Sequence, residues 1–459
     1  MELNVEYIFI LCILYINDIG DDLMNNHMDI PWHEYTNKDS KVKIENASLT
    51  EKSSVIGRIG LMLLACGTGA WRVRSSMNTI ASELNITCIA DIGLTNISYT
   101  CIDGIESHAQ SLSLHNTSVN TSKLARMEDF VYHFKDECKT CTCNEIHNQL
   151  DQIESIHSSY SPIILGLAAA LACSCFTFLL GGGPIEMLCA FVGAGLGNTL
   201  RMKLIKHNYT LFLNVAASVS LACLAYALLF NFLETCFGIA TQHEAGYICS
   251  MLFIIPGFPF ITSGIDLAKL DLRSGLERLA YAIIIILAAT LTAWICALVL
   301  HLQPVDFVKL HISTSTKLLL RLLTSFGGVF GFSIMFNSSK KIAASAGCIG
   351  AIANTLRLTL VDLSLPAAAA AFIGALTAGL LASMIKGNTG YPRIAVTVPS
   401  IVIMVPGLYM YRAIYNLELT STMSIGANWL IQSLLIVLAL PMGLIFARIL
   451  TDPSFRYCT

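Results

Sequence analysis

One feature constrains this chain most. From Pro162 to the C-terminus it is a series of apolar stretches, each about 17–25 residues long, separated by short polar loops. A helix of that length crosses the ~30 Å hydrocarbon core of a bilayer. Since 54% of all residues are hydrophobic and only 13% are charged, lipid is the expected solvent for this part. We therefore expect a polytopic integral membrane protein.

The hydropathy pattern predicts ten membrane helices and their orientation. The predicted segments are 162–180, 184–203, 209–231, 244–263, 278–301, 317–336, 341–360, 364–385, 394–411 and 427–448. Every second loop carries most of the basic residues, namely Arg201, Lys203, Lys206, Lys269, Arg273, Arg278, Lys340, Lys341, Lys386, Arg393, Arg448 and Arg456. Basic loops stay in the cytoplasm, so the pattern predicts that both termini are cytoplasmic.

The residues before the membrane part predict a small soluble α/β domain. A helical pattern from Val55 to Leu84 is broken at residues 66–69. Turn residues then separate three strand-like runs, Ile86–Ile92, Asn96–Ile102 and Ala109–Leu114, and two helices are predicted at Ser122–Lys135 and Asn144–His157. The predicted division is 1–49 as a poorly ordered extension, 50–160 as a cytoplasmic α/β domain, 161–303 as a first membrane repeat and 304–459 as a second.

The membrane part repeats itself in sequence. The segment Gly195–Met202 matches Ala351–Leu358, and Ile254–Phe258 matches Met404–Leu408. The matches occur in the same order, so five predicted helices are followed by five related ones. Because five is odd, the second copy is expected to lie inverted in the membrane, an arrangement typical of secondary transporters. The predicted fold is a 5+5 inverted repeat of about ten transmembrane helices.

Each matching segment carries an Asn and an Arg three residues apart, on one helix face. These residues are Asn198 with Arg201, and Asn354 with Arg357. A guanidinium group offers a planar fork suited to a carboxylate, and an amide adds a donor and an acceptor. The pairs are therefore candidate substrate ligands. The alternative is that the arginines extend to the membrane surface.

Two Pro-Gly pairs interrupt apolar segments at matching positions, Pro256-Gly257 and Pro406-Gly407. Proline removes a backbone donor and glycine permits an unwound turn, and matched helix breaks mark the substrate site in many transporters. We predict substrate binding at these breaks, with packed kinks as the alternative. Asp266, just past the first break, is a candidate coupling residue, or else a solvated charge at a helix end.

The cysteine cluster Cys138, Cys141 and Cys143 is a weak candidate for a metal site. His133 and His147 lie nearby in sequence, but the second half of a standard zinc pattern is missing. A structural role is the alternative, and we predict no cofactor. The chain also lacks a visible Ser/His/Asp set or H-E-x-x-H run, so we do not expect an enzyme. A net charge of −3 argues against a nucleic-acid partner.

Four stretches together resemble the threonine/serine exporter family: Leu64–Leu84, Gly182–Arg201, Ile254–Leu272 and Gly347–Leu417. The resemblance spans roughly residues 55–450. Family members pair a soluble N-terminal domain with two five-helix membrane halves, fused or as two subunits. The resemblance implies proton-driven export of threonine and serine, and two-subunit relatives are linked to dicarboxylates such as succinate. The Cys138–Cys143 cluster and the N-terminal extension depart from the family.

Three functional hypotheses follow. The first is a proton-coupled exporter of small hydroxy amino acids in the plasma or inner membrane, working by alternating access, with a homo-oligomer as the candidate assembly. The second is a dicarboxylate exporter that uses Arg201 and Arg357 together. The third is a membrane sensor or scaffold whose soluble domain signals, with or without metal at the cysteine cluster.

Overall fold

A computed structural model describes residues 30–36, 41–115, 117–156, 159–238, 246–302, 307, 312–389, 393–418 and 422–456. Most of the predicted N-terminal extension lies outside these residues. Within its described part, the short 3-10 helices Trp32–Tyr35 and Ile44–Asn46 pack on the helices that follow, and both Trp32 and Ile44 are buried.

The N-terminal part contains four helices and one small sheet. Its elements are α1 (Leu49–Ala65), α2 (Ala70–Glu83), β1 (Thr87–Ile92), β2 (Asn96–Asp103), β3 (Glu106–Ser113), α3 (Thr121–Glu137) and α4 (Cys143–Glu154). The predicted elements are confirmed to within about three residues, except that α1 begins at Leu49 and not at the predicted Val55. Ser48 and Glu51 form a capping box at the start of α1, which satisfies amide donors that the first helical turn leaves free.

The sheet is an antiparallel meander in the order β1-β2-β3. Side chains alternate between buried and exposed along β1, as expected when one face of a sheet covers helices. The hydroxyl of Tyr99 on β2 is buried against α1, where it donates to the Ser53 carbonyl at 2.8 Å. This contact fixes the sheet on the N-terminal helices.

The membrane part has two series of helices in the same order. The first is α5 (Pro162–Leu179), α6 (Pro184–Lys206), α7 (Leu211–Phe237), α8 (Tyr247–Ser250) with the 3-10 turn Leu252–Ile254, α9 (Gly257–Ala268) and α10 (Leu272–Val299). The second is α11 (Thr314–Met335), α12 (Lys340–Asp362), α13 (Ala367–Thr389), α14 (Arg393–Val402), α15 (Gly407–Glu418) and α16 (Met423–Thr451). The helices α6 and α12, which carry the Asn/Arg pairs, are both 23 residues long.

Among the described residues, seven helices are long and apolar enough to cross a membrane, and up to nine spans result if each bent pair is one span. The bent pairs are Tyr247–Ile254 with Gly257–Ala268, and Arg393–Val402 with Gly407–Leu417. The predicted second segment forms the helix α6, which is not among the seven. The count of ten and the inverted repeat remain predictions.

The two series of helices contact each other through their first helices, α5 and α11, which pack side by side. A Cβ atom at Gly331 would lie 2.6 Å from the Ala168 carbonyl oxygen and 3.0 Å from Ala172. Only glycine permits this approach, and small residues at such crossings let helix backbones come close in lipid. The rings of Phe176 and Phe332 meet edge to face at 6.5 Å. The interface is therefore tight and apolar.

The N-terminal part docks on the loop between α11 and α12. The Ser122 hydroxyl donates to the Asn337 carbonyl at 2.6 Å, and the Thr121 and Ser338 hydroxyls lie 2.6 Å apart. Asn337 adopts a left-handed backbone conformation, with φ of 58°. The beginning of α3 is thus held by hydrogen bonds against the second series of helices.

Candidate functional site

Both predicted helix breaks are present, and they bend the chain by 52° and 48°. At the first break the Gly257 amide donates to the Ile255 carbonyl at 2.8 Å instead of continuing an α-helix. At the second, the Gly407 amide donates to Val405 at 2.9 Å. The prolines Pro256 and Pro406 have no amide hydrogen to offer, so carbonyl groups before each break are left without a helical partner.

The two breaks contact each other. A Cβ atom at Gly257 would lie 3.1 Å from the Val402 side chain, which belongs to the other bent pair. A Cβ atom at Gly407 would overlap the Ile255 side chain. The glycines therefore let the two unwound turns pack directly together. In the described conformation the breaks are closed against one another.

Each predicted arginine reaches the break of its own series. Arg201 on α6 donates to the Phe253 carbonyl at 3.4 Å, and Arg357 on α12 donates to the Met404 carbonyl at 3.1 Å. Both acceptors lie just before a Pro-Gly pair. Arg201 therefore has a partner inside the protein, a carbonyl group freed by the break, in place of simple extension to the membrane surface. Its role as a substrate ligand remains a prediction.

The predicted asparagines are buried beside the first helix of each series. The Asn198 amide donates to the Leu165 carbonyl, and the Asn354 amide donates to the Ser325 hydroxyl, each at 2.9 Å. In the described part of the chain the side-chain oxygen atoms of both asparagines lack a hydrogen-bond partner. Each amide therefore joins α6 or α12 to its neighbour and keeps one acceptor unused.

Asp266 is fully buried near the end of α9. Its Oδ2 accepts hydrogen bonds from the Ala70 amide and the Ser274 hydroxyl, both at 3.1 Å, and lies 3.2 Å from Nε of Arg278. The alternative of a solvated charge at a helix end is wrong. Asp266 instead joins the N-terminus of α2 to α10.

A small, partly open cavity lies between the N-terminal part and the membrane helices. Thr68, Gly69, Trp71 and Arg72 form the wall on the N-terminal side. The bent pairs and α16 form the other walls, with Thr262, Asp266, Arg393, Thr397 and Arg448 among the lining residues. Three arginines therefore line one cavity between the ends of both broken spans.

Family comparisons match this architecture along most of its length. A model described as "Putative threonine/serine exporter" covers residues 54–300, more than half of the chain. The chain belongs to the threonine/serine exporter family. A second model, described as "Threonine/Serine exporter, ThrE", covers residues 321–450. The resemblance found in the sequence is confirmed, and this family member is a multi-pass membrane protein of exporter type.

Two curated proteins are similar to this exporter-family chain. One, from Mycobacterium tuberculosis, is named "Probable threonine/serine exporter" and is 22% identical over 418 residues, which cover 87% of this chain and 76% of that protein. The other, named "Uncharacterized protein", from Haemophilus influenzae, is 26% identical over 168 residues, or 33% of this chain and 56% of that protein. A comparison with solved structures gives no significant match.

The cysteine cluster of this exporter-family chain is spread over separate contacts. The Cys138 thiol lies 3.4 Å from Gln149 Oε1, Cys141 contacts the Glu137 carbonyl at 3.3 Å, and Cys143 lies 3.6 Å from the Glu51 carbonyl. Burial raises the pKa of Cys138 and of Cys143 to about 12, which disfavours the thiolate that binds metal. The described residues contain no group of three side chains placed to share a metal ion.

The sequence analysis missed several residues that line the cavity but lie far apart in sequence, above all Trp71, Arg393 and Arg448. The two arginines were interpreted only as basic residues at membrane-helix ends. No local signal distinguished them from arginines that extend from a helix end to the membrane surface. The Arg448 guanidinium lies over the Trp71 ring, 4.4 Å from its centroid.

Proposed function

We propose that this protein exports small hydroxy amino acids, threonine and serine, by alternating access between two inverted halves of five spans each. The proposed orientation has both termini in the cytoplasm, and the proposed driving force is the proton gradient. The protein binds no cofactor in this scheme. The family and the similar mycobacterial protein support the substrate class.

One observation carries the proposal: two broken spans, one in each series, meet at their breaks. Unwound turns in a membrane helix persist only where they are packed against protein or line a water-filled cavity. Here they are packed, with Val402 and Ile255 filling the contact. Rocking of the halves would separate the turns and expose backbone groups, together with Arg201 and Arg357, to a substrate. The repeated order of helices supports this motion.

The proposed site has chemistry suited to an amino acid. Arg357 keeps a buried Nε without a partner among the described atoms, and Asn198 and Asn354 keep unused carbonyl oxygen atoms. A guanidinium group binds a carboxylate, while amide oxygen atoms accept from an ammonium or hydroxyl group. These groups become available to substrate only when the breaks open.

Counterflow in proteoliposomes tests the transport proposal. The purified protein is loaded with unlabelled threonine, and uptake of labelled threonine, serine and succinate is measured. We expect saturable flux of threonine and serine. The flux should be retained in Arg126→Gln, the control, because Arg126 is an exposed residue of α3. Absence of amino-acid flux from protein that remains monodisperse and folded would end the proposal. Flux of succinate alone, lost in Arg357→Ala, would support the dicarboxylate alternative.

Proton coupling is tested separately with an imposed pH gradient. We assign the coupling role to Asp266, since it is a fully buried carboxylate between the two bent pairs and the N-terminal part. Asp266→Asn should leave a slower substrate exchange that no longer responds to the gradient. A gradient response equal to that of the unchanged protein would remove Asp266 from the coupling step.

A further inference from the structure

We propose that the cavity between Thr68–Arg72 and the bent pairs is a binding site for a free amino acid in its zwitterionic form. In this site Arg393 and Arg448 bind the carboxylate, and Asp266 binds the ammonium group. The identity of the ligand rests on the proposed export function, whereas the site itself is argued from the cavity. It is distinct from the helix breaks that the sequence indicated.

Surplus positive charge is the first argument. Arg393 is 9% exposed, and its two terminal nitrogens donate to the Thr451 hydroxyl and the Gly379 carbonyl, both at 2.7 Å. Among the described residues it forms no ion pair. Asp452 acts on Arg393 electrostatically but forms no ion pair with it in the described part of the chain. A buried guanidinium group whose hydrogen-bond acceptors are all neutral favours a further anion in the adjoining cavity. A carboxylate is the anion that amino acids carry.

Arg448 stacks on aromatic rings and also forms a long ion pair with Asp452. Its guanidinium carbon lies 4.4 Å from the Trp71 ring centroid and 4.3 Å from that of Phe455. Asp452 is 3.5 Å from Nε, longer than a good charge-assisted hydrogen bond. Stacking on two rings fixes the plane of the fork, so Arg448 is oriented before a ligand arrives.

Unused polar atoms in the cavity wall are the second argument. The Thr68 hydroxyl, the Trp71 indole nitrogen and Asp266 Oδ1 all lack a hydrogen-bond partner within the described ranges. Thr68 and Asp266 are both fully buried. Buried polar groups without partners are rare, and each one destabilises the folded state. A ligand with donors and acceptors would satisfy them.

Asp266 selects a zwitterion over a dicarboxylate. Its Oδ2 is occupied by Ala70, Ser274 and Arg278, so only Oδ1 remains to accept a proton donor. A side chain at Gly69 would collide with Oδ1, so glycine lets the start of α2 pack directly against the carboxylate while Oδ1 keeps no hydrogen-bond donor among the described residues. An ammonium group matches this acceptor, whereas a second carboxylate would be repelled.

The N-terminal part forms one wall of the site and is fastened to the membrane helices there. Arg278 donates to the Thr68 carbonyl at 2.7 Å and to the Gly67 carbonyl at 3.4 Å. The same segment supplies Thr68, Trp71 and Arg72 to the cavity. The site is incomplete without the N-terminal part, which assigns that part a direct role in binding.

Equilibrium binding of labelled L-threonine to the full-length protein in nanodiscs tests the assignment without requiring transport. We expect at least tenfold weaker binding in Arg393→Gln and in Arg448→Gln, and unchanged binding in the matched control Arg126→Gln. Size-exclusion profiles identify variants that fail to fold. Equal affinity in folded Arg393→Gln and Arg126→Gln would overturn the site.

Two threonine derivatives test the two ends of the ligand. The unchanged protein should bind N-acetylthreonine, which has no ammonium group, and threonine methyl ester, which has no carboxylate, at least tenfold more weakly than threonine. Asp266→Asn should lose the discrimination against N-acetylthreonine, and Arg393→Gln the discrimination against the ester. Failure of the unchanged protein to discriminate, or binding of succinate in place of threonine, would overturn the zwitterion assignment.

Binding and flux separate this inference from the proposed function. If threonine binding depends on Arg393 but no threonine counterflow occurs, the site is supported and the transport proposal is overturned. Threonine counterflow that is insensitive to Arg393→Gln would leave transport in place and overturn the site.

Discussion

The hydroxyl groups of Tyr247 and Tyr411 lie 2.7 Å apart, one on each bent pair. Both side chains are fully buried, and their rings meet edge to face at 5.9 Å. A polar bridge therefore joins the two series of helices inside an apolar region. Separation of the breaks would require this hydrogen bond to be broken or exchanged for one to water or substrate.

A double-mutant cycle tests the tyrosine bridge. We expect Tyr247→Phe and Tyr411→Phe each to lower the free energy of unfolding by about 1 kcal/mol, because each leaves the other hydroxyl without its partner. The double variant should lose less than the sum of the single losses. The measurement is chemical unfolding in mixed micelles, and strictly additive losses would contradict the bridge.

The two break glycines should differ in their tolerance of a methyl group. Gly407→Ala would place a Cβ atom inside the Ile255 side chain, whereas Gly257→Ala would place one 3.1 Å from Val402. Overpacking of this kind costs about 1–3 kcal/mol. We therefore expect a larger fall in thermal midpoint, and a larger loss of counterflow, for Gly407→Ala. Equal effects, or the reverse order, would show that the breaks are not packed as described.

The buried pair of Asp266 and Arg278 should respond strongly to removal of one partner. Asp266→Asn leaves the Arg278 cation without its carboxylate and should lower the free energy of unfolding by about 3 kcal/mol. The double variant Asp266→Asn/Arg278→Gln should recover part of that loss. The control is Arg273→Gln. Arg273 lies on the same helix as Arg278 but forms exposed ion pairs, so this variant should lower the free energy of unfolding by under about 1 kcal/mol. Equal losses of unfolding free energy in Asp266→Asn and Arg273→Gln would contradict the prediction.

His147 predicts a pH dependence in the N-terminal part. Burial, with the nearby Arg58 cation as a second cause, lowers its pKa from 6.5 to about 3. As pH falls below 6.5 the unfolded chain therefore takes up a proton that the folded chain does not, and stability is lost. Hydrogen exchange of the segment Cys143–Glu154, corrected for intrinsic rates, should accelerate by pH 5.5.

The control for this prediction is the exposed His133. His147→Gln should flatten the pH dependence of exchange, whereas His133→Gln should leave it unchanged. A slope that survives in His147→Gln would assign the effect to other groups.

Much of this fold could be predicted from short sequence patterns, because capping, strand alternation and helix length each depend on residues close together in the chain. The helical pattern from Val55 to Leu84 predicted α1 and α2, although the capping pair Ser48 and Glu51 begins α1 earlier, at Leu49. Alternation of side chains defines β1. Apolar length defines membrane helices, and Pro256-Gly257 must interrupt one. Each of these signals is complete within a few residues of sequence.

Contacts between residues that are far apart in sequence could not be predicted from the sequence alone. Arg201 was predicted as a substrate ligand, with extension to the membrane surface as the alternative, because nothing near it in sequence indicates that the Phe253 carbonyl is free. The cavity joins Trp71, Asp266 and Arg448, which come from three separate parts of the chain. Of these only Asp266 was predicted, since its charge near a membrane segment was evident locally.

The close packing of α5 against α11 has a consequence for the evolution of this architecture. Ala168 and Gly331 meet through backbone and small side chains, and Ser122 hydrogen-bonds to the loop carrying Asn337, so the two series recognise each other through surface complementarity. The stretch between residues 300 and 321 is outside both family models. Two separate chains encoded on either side of this stretch would still associate through the same surfaces. Fusion into one chain would add only a fixed one-to-one ratio of the two halves.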